Sequence, residues 1–271
     1  MLPLAEHPIL LELIAKGKLI PFVGAGLSRP LGLPDFSTLI DIIAKELDYD
    51  PEVFRLNGTP QQLAEYYVAI KGSIGPLRSE MDRKFNPSDN KILASRAHKA
   101  LVKMKLPLLY TTNYDRIIER AYKLNDTRYH SIASIDDMVA APADDTTHIV
   151  KFHGTFSNDS SLVLTESSYF DRLEFEAALD IKLRADMLGK VLLFVGYSLN
   201  DLNIRYMMYK LFKLREAVKR DGKRMPSAYL VTFGSGEIQK TLLARWDVNI
   251  IELDPINKQK STDEFLESLI A

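Results

Sequence analysis

Residues 19–28 read Leu-Ile-Pro-Phe-Val-Gly-Ala-Gly-Leu-Ser, an apolar run that stops at two glycines flanking an alanine. An unbroken apolar run suits a strand buried on both faces, and Gly24 and Gly26 suit a tight turn directly after it. Ahead of this stretch, Ile9, Leu10, Leu13 and Ile14 fall at helical spacing over 7–15. Behind it, residues 37–47 (STLIDIIAKEL) predict a helix capped by Ser37 or Asp35. Helix, buried strand, glycine turn and helix together open an α/β fold.

The same rhythm returns after residue 105. LPLLYTTN (106–113) predicts a strand followed by a helix over about 115–123, and HIVKFHGTF (148–156) predicts another strand. SLVLTESSY (161–169) reads as a short strand running into a helix, and KVLLFVGYSLND (190–201) as a strand ahead of a helix over 201–218. In the tail, AYLVTF (228–233), GEIQKTLLARW (236–246) and VNIIELD (248–254) predict strand, helix and strand, with a last helix from Thr262. Strands alternating with helices predict a Rossmann-like α/β fold: a mostly parallel sheet with helices on both faces. Residues 51–105 are patterned as helices, with turns near Asn57–Gly58, Gly72–Ser73 and Asn86–Pro87. They read as a helical insertion within a single domain spanning 1–271, placed where a lid would sit.

Composition narrows the function. The formal net charge of -1 argues against a nucleic-acid surface, which would show a basic excess. The chain has no cysteine, which excludes disulfides, thiolate nucleophiles and zinc sites built on Cys ligands, and fits a reducing cytoplasm. The N-terminal residues 1–22 are interrupted by Pro3, Glu6, Glu12, Lys16 and Lys18, so neither a membrane span of ~20 apolar residues nor a signal peptide is expected. No metal site is expected either.

Ligands of such folds bind at the carboxyl ends of the strands. Gly24-Ala25-Gly26-Leu27-Ser28 is a turn in which backbone can approach a pyrophosphate, though a strand-to-helix turn that binds nothing fits equally well. In Gly32-Leu33-Pro34-Asp35-Phe36, Phe36 can close over a flat ring, while a helix cap plus a core aromatic is the plainer reading. Thr111-Thr112-Asn113-Tyr114-Asp115 puts a carboxamide at a strand exit, where it can orient a water or a ribose hydroxyl; Asp115 caps the next helix. Phe152-His153-Gly154 ends a strand on a histidine suited to proton transfer near neutrality. His7, His98, His130 and His148 have no comparable setting and read as surface or packing residues. Gly196-Tyr197-Ser198-Leu199-Asn200-Asp201 again joins a glycine to small polar groups, with Ser198 and Asn200 as ribose or phosphate ligands and Asp201 as a cap.

Taken together, these exits resemble the sirtuin family over roughly residues 19–255, and more closely the divergent sirtuin-like domains of bacterial anti-phage defence proteins. GAGLS with GLPDF is similar to that family's first NAD-binding segment, TTNYD to its Asn segment, FHG to its catalytic His-Gly and GYSLND to its Gly-x-Ser loop. The departures from the deacylases are the missing four-cysteine zinc module, Thr112 in place of their usual Gln, and Ser37 where their Pro-Asp-Phe-Arg segment has Arg. The resemblance implies that Asn113 and His153 are catalytic. It further implies that Gly24, Ala25, Gly26, Ser28, Asp35, Phe36, Gly196 and Ser198 bind NAD, with Thr112, Asp115 and Gly154 in the same set. The implied activity is hydrolysis of NAD, as substrate, to nicotinamide and ADP-ribose in an abortive-infection response. Deacylation, ADP-ribosyl transfer and non-catalytic NAD or ADP-ribose binding are the alternatives. Because free-running NAD hydrolysis would kill the host, a gating partner encoded nearby and a homo-oligomer are expected, and neither nucleic acid nor membrane.

Overall fold

The computed structural model describes residues 7–33, 36–173, 176–197, 202–216 and 227–270. Helix α1 (His7–Ala15) leads into β1 (Leu19–Val23), the short α2 (Ala25–Ser28) and α3 (Phe36–Glu46). The stretch read as an insertion holds α4 (Pro51–Arg55), α5 (Pro60–Lys71), α6 (Gly75–Lys84), α7 (Asp89–Ala94) and α8 (Arg96–Lys103). Next come β2 (Leu108–Thr111), α9 (Ile117–Leu124), β3 (Tyr129–Ile132), α10 (Ile135–Val139) and β4 (Thr147–Lys151). The chain continues through α11 (Glu166–Leu173), α12 (Ala178–Asp186), β5 (Val191–Val195), α13 (Leu202–Glu216) and β6 (Ala228–Thr232). It ends with α14 (Glu237–Ala244), β7 (Val248–Glu252) and α15 (Lys258–Ser268).

The strands form one sheet in the order β3-β4-β2-β1-β5-β6-β7, and every pairing is parallel. The chain starts in the middle at β1, builds outward through β2, then crosses to β5 on the other side. That reversal makes a topological switch point, where a parallel sheet opens a crevice at its carboxyl edge. Pro21 sits inside the central strand without breaking it, because β1 pairs with β2 only from Phe22 onward.

Strand alternation divides the core between the faces. Val23, Leu109, Ile149 and Val195 pack with α1, α8, α9 and α15. Phe22, Tyr110, Val150 and Phe194 pack with α12, α13 and α14. On this second face Phe22 stacks 5.6 Å from Tyr110 and 5.0 Å from Phe194 between ring centroids. A third core joins α3–α6 to Tyr114, Phe156 and Leu164, so the insertion is seated on the loops after β2 and β4. Its helices are locally encoded. Thr59 and Gln62 form a reciprocal capping box at the start of α5, Pro60 occupies the first turn, and Gly72 ends the helix at φ 72°.

The structure corrects three readings. Residues 161–164 are not a strand: they run along the His153 turn, with the Val163 N–H donating to the His153 carbonyl at 3.0 Å, and Leu164 enters the third core. The Tyr129–Ile132 strand and α10 were not foreseen, and α15 begins at Lys258, capped by Asn257, ahead of Thr262.

Candidate active site

Four of the five singled-out exits leave neighbouring strands, β4, β2, β1 and β5, at the same edge of the sheet. Gly24 follows β1, Thr112 and Asn113 follow β2, His153 and Gly154 follow β4, and Gly196 follows β5. Thr111 and Lys151 are register partners, so Asn113 and His153 each stand two residues beyond the last rung of adjacent strands. The two loops stay side by side beyond it: the Phe152 N–H donates to the Thr111 carbonyl at 2.7 Å and the Phe156 N–H to the Tyr114 carbonyl at 3.3 Å.

The glycines at the switch point hold two loops in contact. Gly24 N–H donates to the Val195 carbonyl at 2.8 Å and Gly26 N–H to the Gly196 carbonyl at 2.9 Å. A Cβ on Gly24 or Gly26 would stand 2.6 or 2.7 Å from the Gly196 carbonyl oxygen, so neither accepts a side chain. Ala25 and Gly26 remain open to solvent, whereas Gly24 is buried. Ser28 is also fully buried, its hydroxyl 3.2 Å from His98 Nε2. The Val23 carbonyl, at the tip of β1, accepts from Thr111 Oγ1 at 2.8 Å and from the Tyr197 hydroxyl at 3.0 Å. Thr112 Oγ1 lies 3.0 Å from that same tyrosine. Asp35, Ser198, Asn200 and Asp201 lie outside the described residues, and of Phe36 the structure describes only its place at the start of α3.

Asn113 stands apart chemically. The residue is buried, and among the described residues neither Oδ1 nor Nδ2 of its carboxamide has a hydrogen-bond partner. Its backbone N–H is satisfied by Thr111 Oγ1 at 3.0 Å, so the loop is fixed while the side chain is left with unused bonding capacity. Orphaned buried polar atoms cost ~1–3 kcal/mol each, so the carboxamide adds nothing to the stability of the loop. His153 is partly exposed. Its ring stacks on Phe152 at 5.8 Å and meets the edge of Tyr169 at 5.4 Å, and among the described residues no hydrogen bond engages its nitrogens. Burial first, and then the Arg172 guanidinium, push this imidazole down to about 3, so it is a neutral acceptor at physiological pH.

Several residues around these two went unmarked in the sequence. Arg172 on α11 lies 4.2 Å over the Phe152 ring, with Nη2 2.8 Å from Asp180 Oδ1. Tyr114 donates to the Val163 carbonyl at 2.7 Å and bonds Tyr169, which ties α11 to the residue next to Asn113. The N-cap of α9 is Arg116, which makes no side-chain cap bond; Asp115, one residue earlier, accepts the Ile117 N–H through Oδ1 at 3.0 Å, and burial raises its carboxyl against the pull of Lys151. Lys151 is itself fully buried. The signal for it was a lysine inside the apolar strand HIVKF, where period-2 alternation already implies burial.

His98 carries a prediction. It is fully enclosed between Ser28 and Ser95, whose hydroxyl lies 2.7 Å from Nδ1, and burial pushes its pKa down to about 4. In the unfolded chain a histidine titrates near ~6.5. The unfolded state therefore takes up the proton first, and stability that is complete above pH ~6.5 falls by roughly 3 kcal/mol on the way to pH ~4. Urea midpoints measured from pH 7 to 4.5 should show this decline on top of the one contributed by His153, which burial likewise holds low, and His98→Gln should make the slope shallower. An equal slope in the variant would assign the decline to other groups.

A family model described as a SIR2-like domain matches residues 107–251, just over half of the chain, and that span includes Asn113, His153 and Gly196. "NAD(+) hydrolase ThsA" of Bacillus cereus (strain MSX-D12) is 30% identical over 213 residues, covering 75% of this chain and 41% of the relative. A protein of the same name from Enterococcus faecium is 27% identical over 269 residues, covering 90% of this chain and 54% of its own length. "Defense-associated sirtuin 2" of Bacillus subtilis is 27% identical over 209 residues, covering 74% of this chain and 20% of the relative. The chain thus spans about half, or less, of the length of these relatives.

Proposed function

The chain belongs to the SIR2-like domain family, and from that premise we propose that it hydrolyses the nicotinamide–ribose bond of NAD to give nicotinamide and ADP-ribose in anti-phage defence. The observation that carries this reading is the buried carboxamide of Asn113 at the exit of β2, unpartnered at both atoms among the described residues, with a neutral histidine at the exit of the adjacent β4. The names of the relatives support it.

Nicotinamide leaves readily because its ring nitrogen is cationic while bonded, so no acid is required on the leaving group. The reaction needs support for an oxocarbenium-like ribose and a water held at the anomeric carbon. Neutral His153 accepts a proton or a hydrogen bond from a ribose hydroxyl or from that water. Asn113 both donates and accepts, which suits it to orient the water. The exposed Ala25–Gly26 edge of the glycine turn is the part able to meet the pyrophosphate, since Gly24 and Ser28 are occupied inside the fold. Asp35, Phe36 and Ser198 complete the proposed NAD set, with Gly196 shaping the turn.

The proposed setting is cytoplasmic and oligomeric, gated by a protein encoded nearby. Among the described residues, no helix is long and apolar enough to cross a membrane. The deciding experiment incubates NAD with the chain alone, at low and high concentration, and with its genomic neighbour. Equal amounts of nicotinamide and free ADP-ribose are expected, with the chain silent when alone and dilute. O-acyl-ADP-ribose formed from an acylated peptide would assign a deacylase, and ADP-ribose attached to protein would assign a transferase. NAD bound without nicotinamide release in every arm would make the chain a regulatory binding subunit. Rapid turnover by the dilute chain would remove the gating.

A further inference from the structure

Lys151 is a fully buried cation that the proposed reaction does not use. Its backbone closes the His153–Gly154 turn, with the Gly154 N–H donating to the Lys151 carbonyl at 2.9 Å. Its side chain runs the other way, fully buried, and Nζ donates to the backbone carbonyl of Asp115, on the far side of the Asn113 turn. The ammonium also lies 3.2 Å from Glu119 Oε1 on α9. Ser131 Oγ reaches the same oxygen at 3.4 Å, whereas Glu119 Oε2 is buried without a partner among the described residues. One residue thus spans the roots of both loops that carry the proposed catalytic pair.

Stability alone is a poor reason for this arrangement. A buried ion pair loses to desolvation most of what it gains from attraction, and apolar side chains of similar volume commonly do as well or better. The pair is moreover incompletely satisfied at Glu119 Oε2. What an apolar pair does not supply is a donor to the Asp115 carbonyl. The Thr111 hydroxyl, bonded to Val23 and to the Asn113 N–H, fixes the near end of the Asn113 turn. Lys151 fixes its far end to the strand that carries His153.

We propose that Lys151 is a positioning residue: by tying the Asp115 carbonyl to the end of β4, it sets where the Asn113 carboxamide stands relative to the His153 imidazole. The inference rests on the catalytic reading of those two residues. Glu119 is the counter-charge that lets the ammonium stay buried.

The test pairs Lys151→Met with Glu119→Leu, so that the Glu119 carboxylate is not left buried without its cation, and sets this double variant beside Glu119→Gln, which keeps an acceptor for the ammonium. Thermal midpoint, NAD affinity, nicotinamide release and amide hydrogen exchange of residues 112–117 are read in each, under the conditions in which the wild-type assembly turns over. For the double variant, a midpoint within about 5 °C of wild type and NAD affinity within about 3-fold are expected. Its release rate should fall by ~10–100-fold, with exchange of 112–117 at least ~10-fold faster. Glu119→Gln should keep most of the rate. A double variant of preserved midpoint that keeps both rate and exchange protection overturns the proposal, as does an equal loss in Glu119→Gln. Should the double variant not fold, the wild-type protein decides: amides 113 and 117 exchanging as freely as an open loop would overturn the clip. Full activity in His153→Ala and Asn113→Ala would instead refute the catalytic reading, while the exchange arms still report on Lys151.

Discussion

Replacing His153 or Asn113 by alanine should lower nicotinamide release by ~10²–10⁴-fold, the contribution typical of one oriented proton-transfer or water-holding group, while NAD affinity changes by no more than about 3-fold. The stability of the two variants should differ in an informative way. Among the described residues the Asn113 carboxamide has no hydrogen-bond partner at either atom, so its removal takes away a buried polar group that nothing compensates. Asn113→Ala should therefore unfold at the wild-type temperature or above it, by up to ~1 kcal/mol. A stable, inactive variant is the signature of a residue held in place for its chemistry. If Asn113→Ala instead lost several degrees of midpoint and kept full turnover, the carboxamide would be a structural strut. For His153, burial and Arg172 hold the imidazole neutral, with a pKa of about 3. The rate should thus show no titration near ~6.5, and its acid limb should follow the unfolding linked to His98. A limb at the ordinary histidine value that stays in place in His98→Gln would contradict this and would point to an imidazole more exposed to water than its packing against Phe152 and Tyr169 implies.

Much of this site was legible in the sequence because each relevant residue stands where an apolar run ends. LIPFV, LLYT, THIVK and VLLFV are buried strands, and the residues after them are the ones proposed to carry the chemistry. A parallel sheet brings such exits to one edge without any knowledge of tertiary contacts. What stayed hidden depends on long-range packing. YHSI is half-buried along most of its length and pairs with a single neighbour, so it lacks the apolar signature of the central strands. Residues 162–164 carry that signature and are not a strand, because the insertion's core, not the sheet, buries Leu164. Ser28 reads as a hydroxyl offered to a ligand until His98, from the distant α8, occupies it. In the sequence Gly24 and Gly26 speak only for an approach to phosphate. The structure adds a second demand, the contact with Gly196, which no local pattern announces.

The same reasoning gives the largest expected loss of stability, at Gly154. Its φ of 86° lies in the left-handed region, and a Cβ there would stand 2.1 Å from the Ser161 carbonyl oxygen and 2.4 Å from the carbonyl carbon. Backbone must move to admit it. The segment that would move is pinned by Thr155 N–H to Ser161 Oγ at 3.1 Å and by Val163 N–H to the His153 carbonyl at 3.0 Å. Gly189 separates the two contributions, because it has nearly the same φ, 82°, and nothing within 4 Å of an added Cβ. Gly189→Ala should therefore report the dihedral strain alone, ~1 kcal/mol. Gly154→Ala should add the displaced loop, for a total above ~3 kcal/mol. Because the displaced loop carries the His153 carbonyl bond, the loss should extend to catalysis even at temperatures where the variant is folded. Urea unfolding of the two variants side by side, with nicotinamide release measured at low temperature, reads both quantities. Equal destabilisation of Gly154→Ala and Gly189→Ala would mean that the 155–161 loop yields without resistance, and the His-Gly turn would then owe its shape to the strand alone.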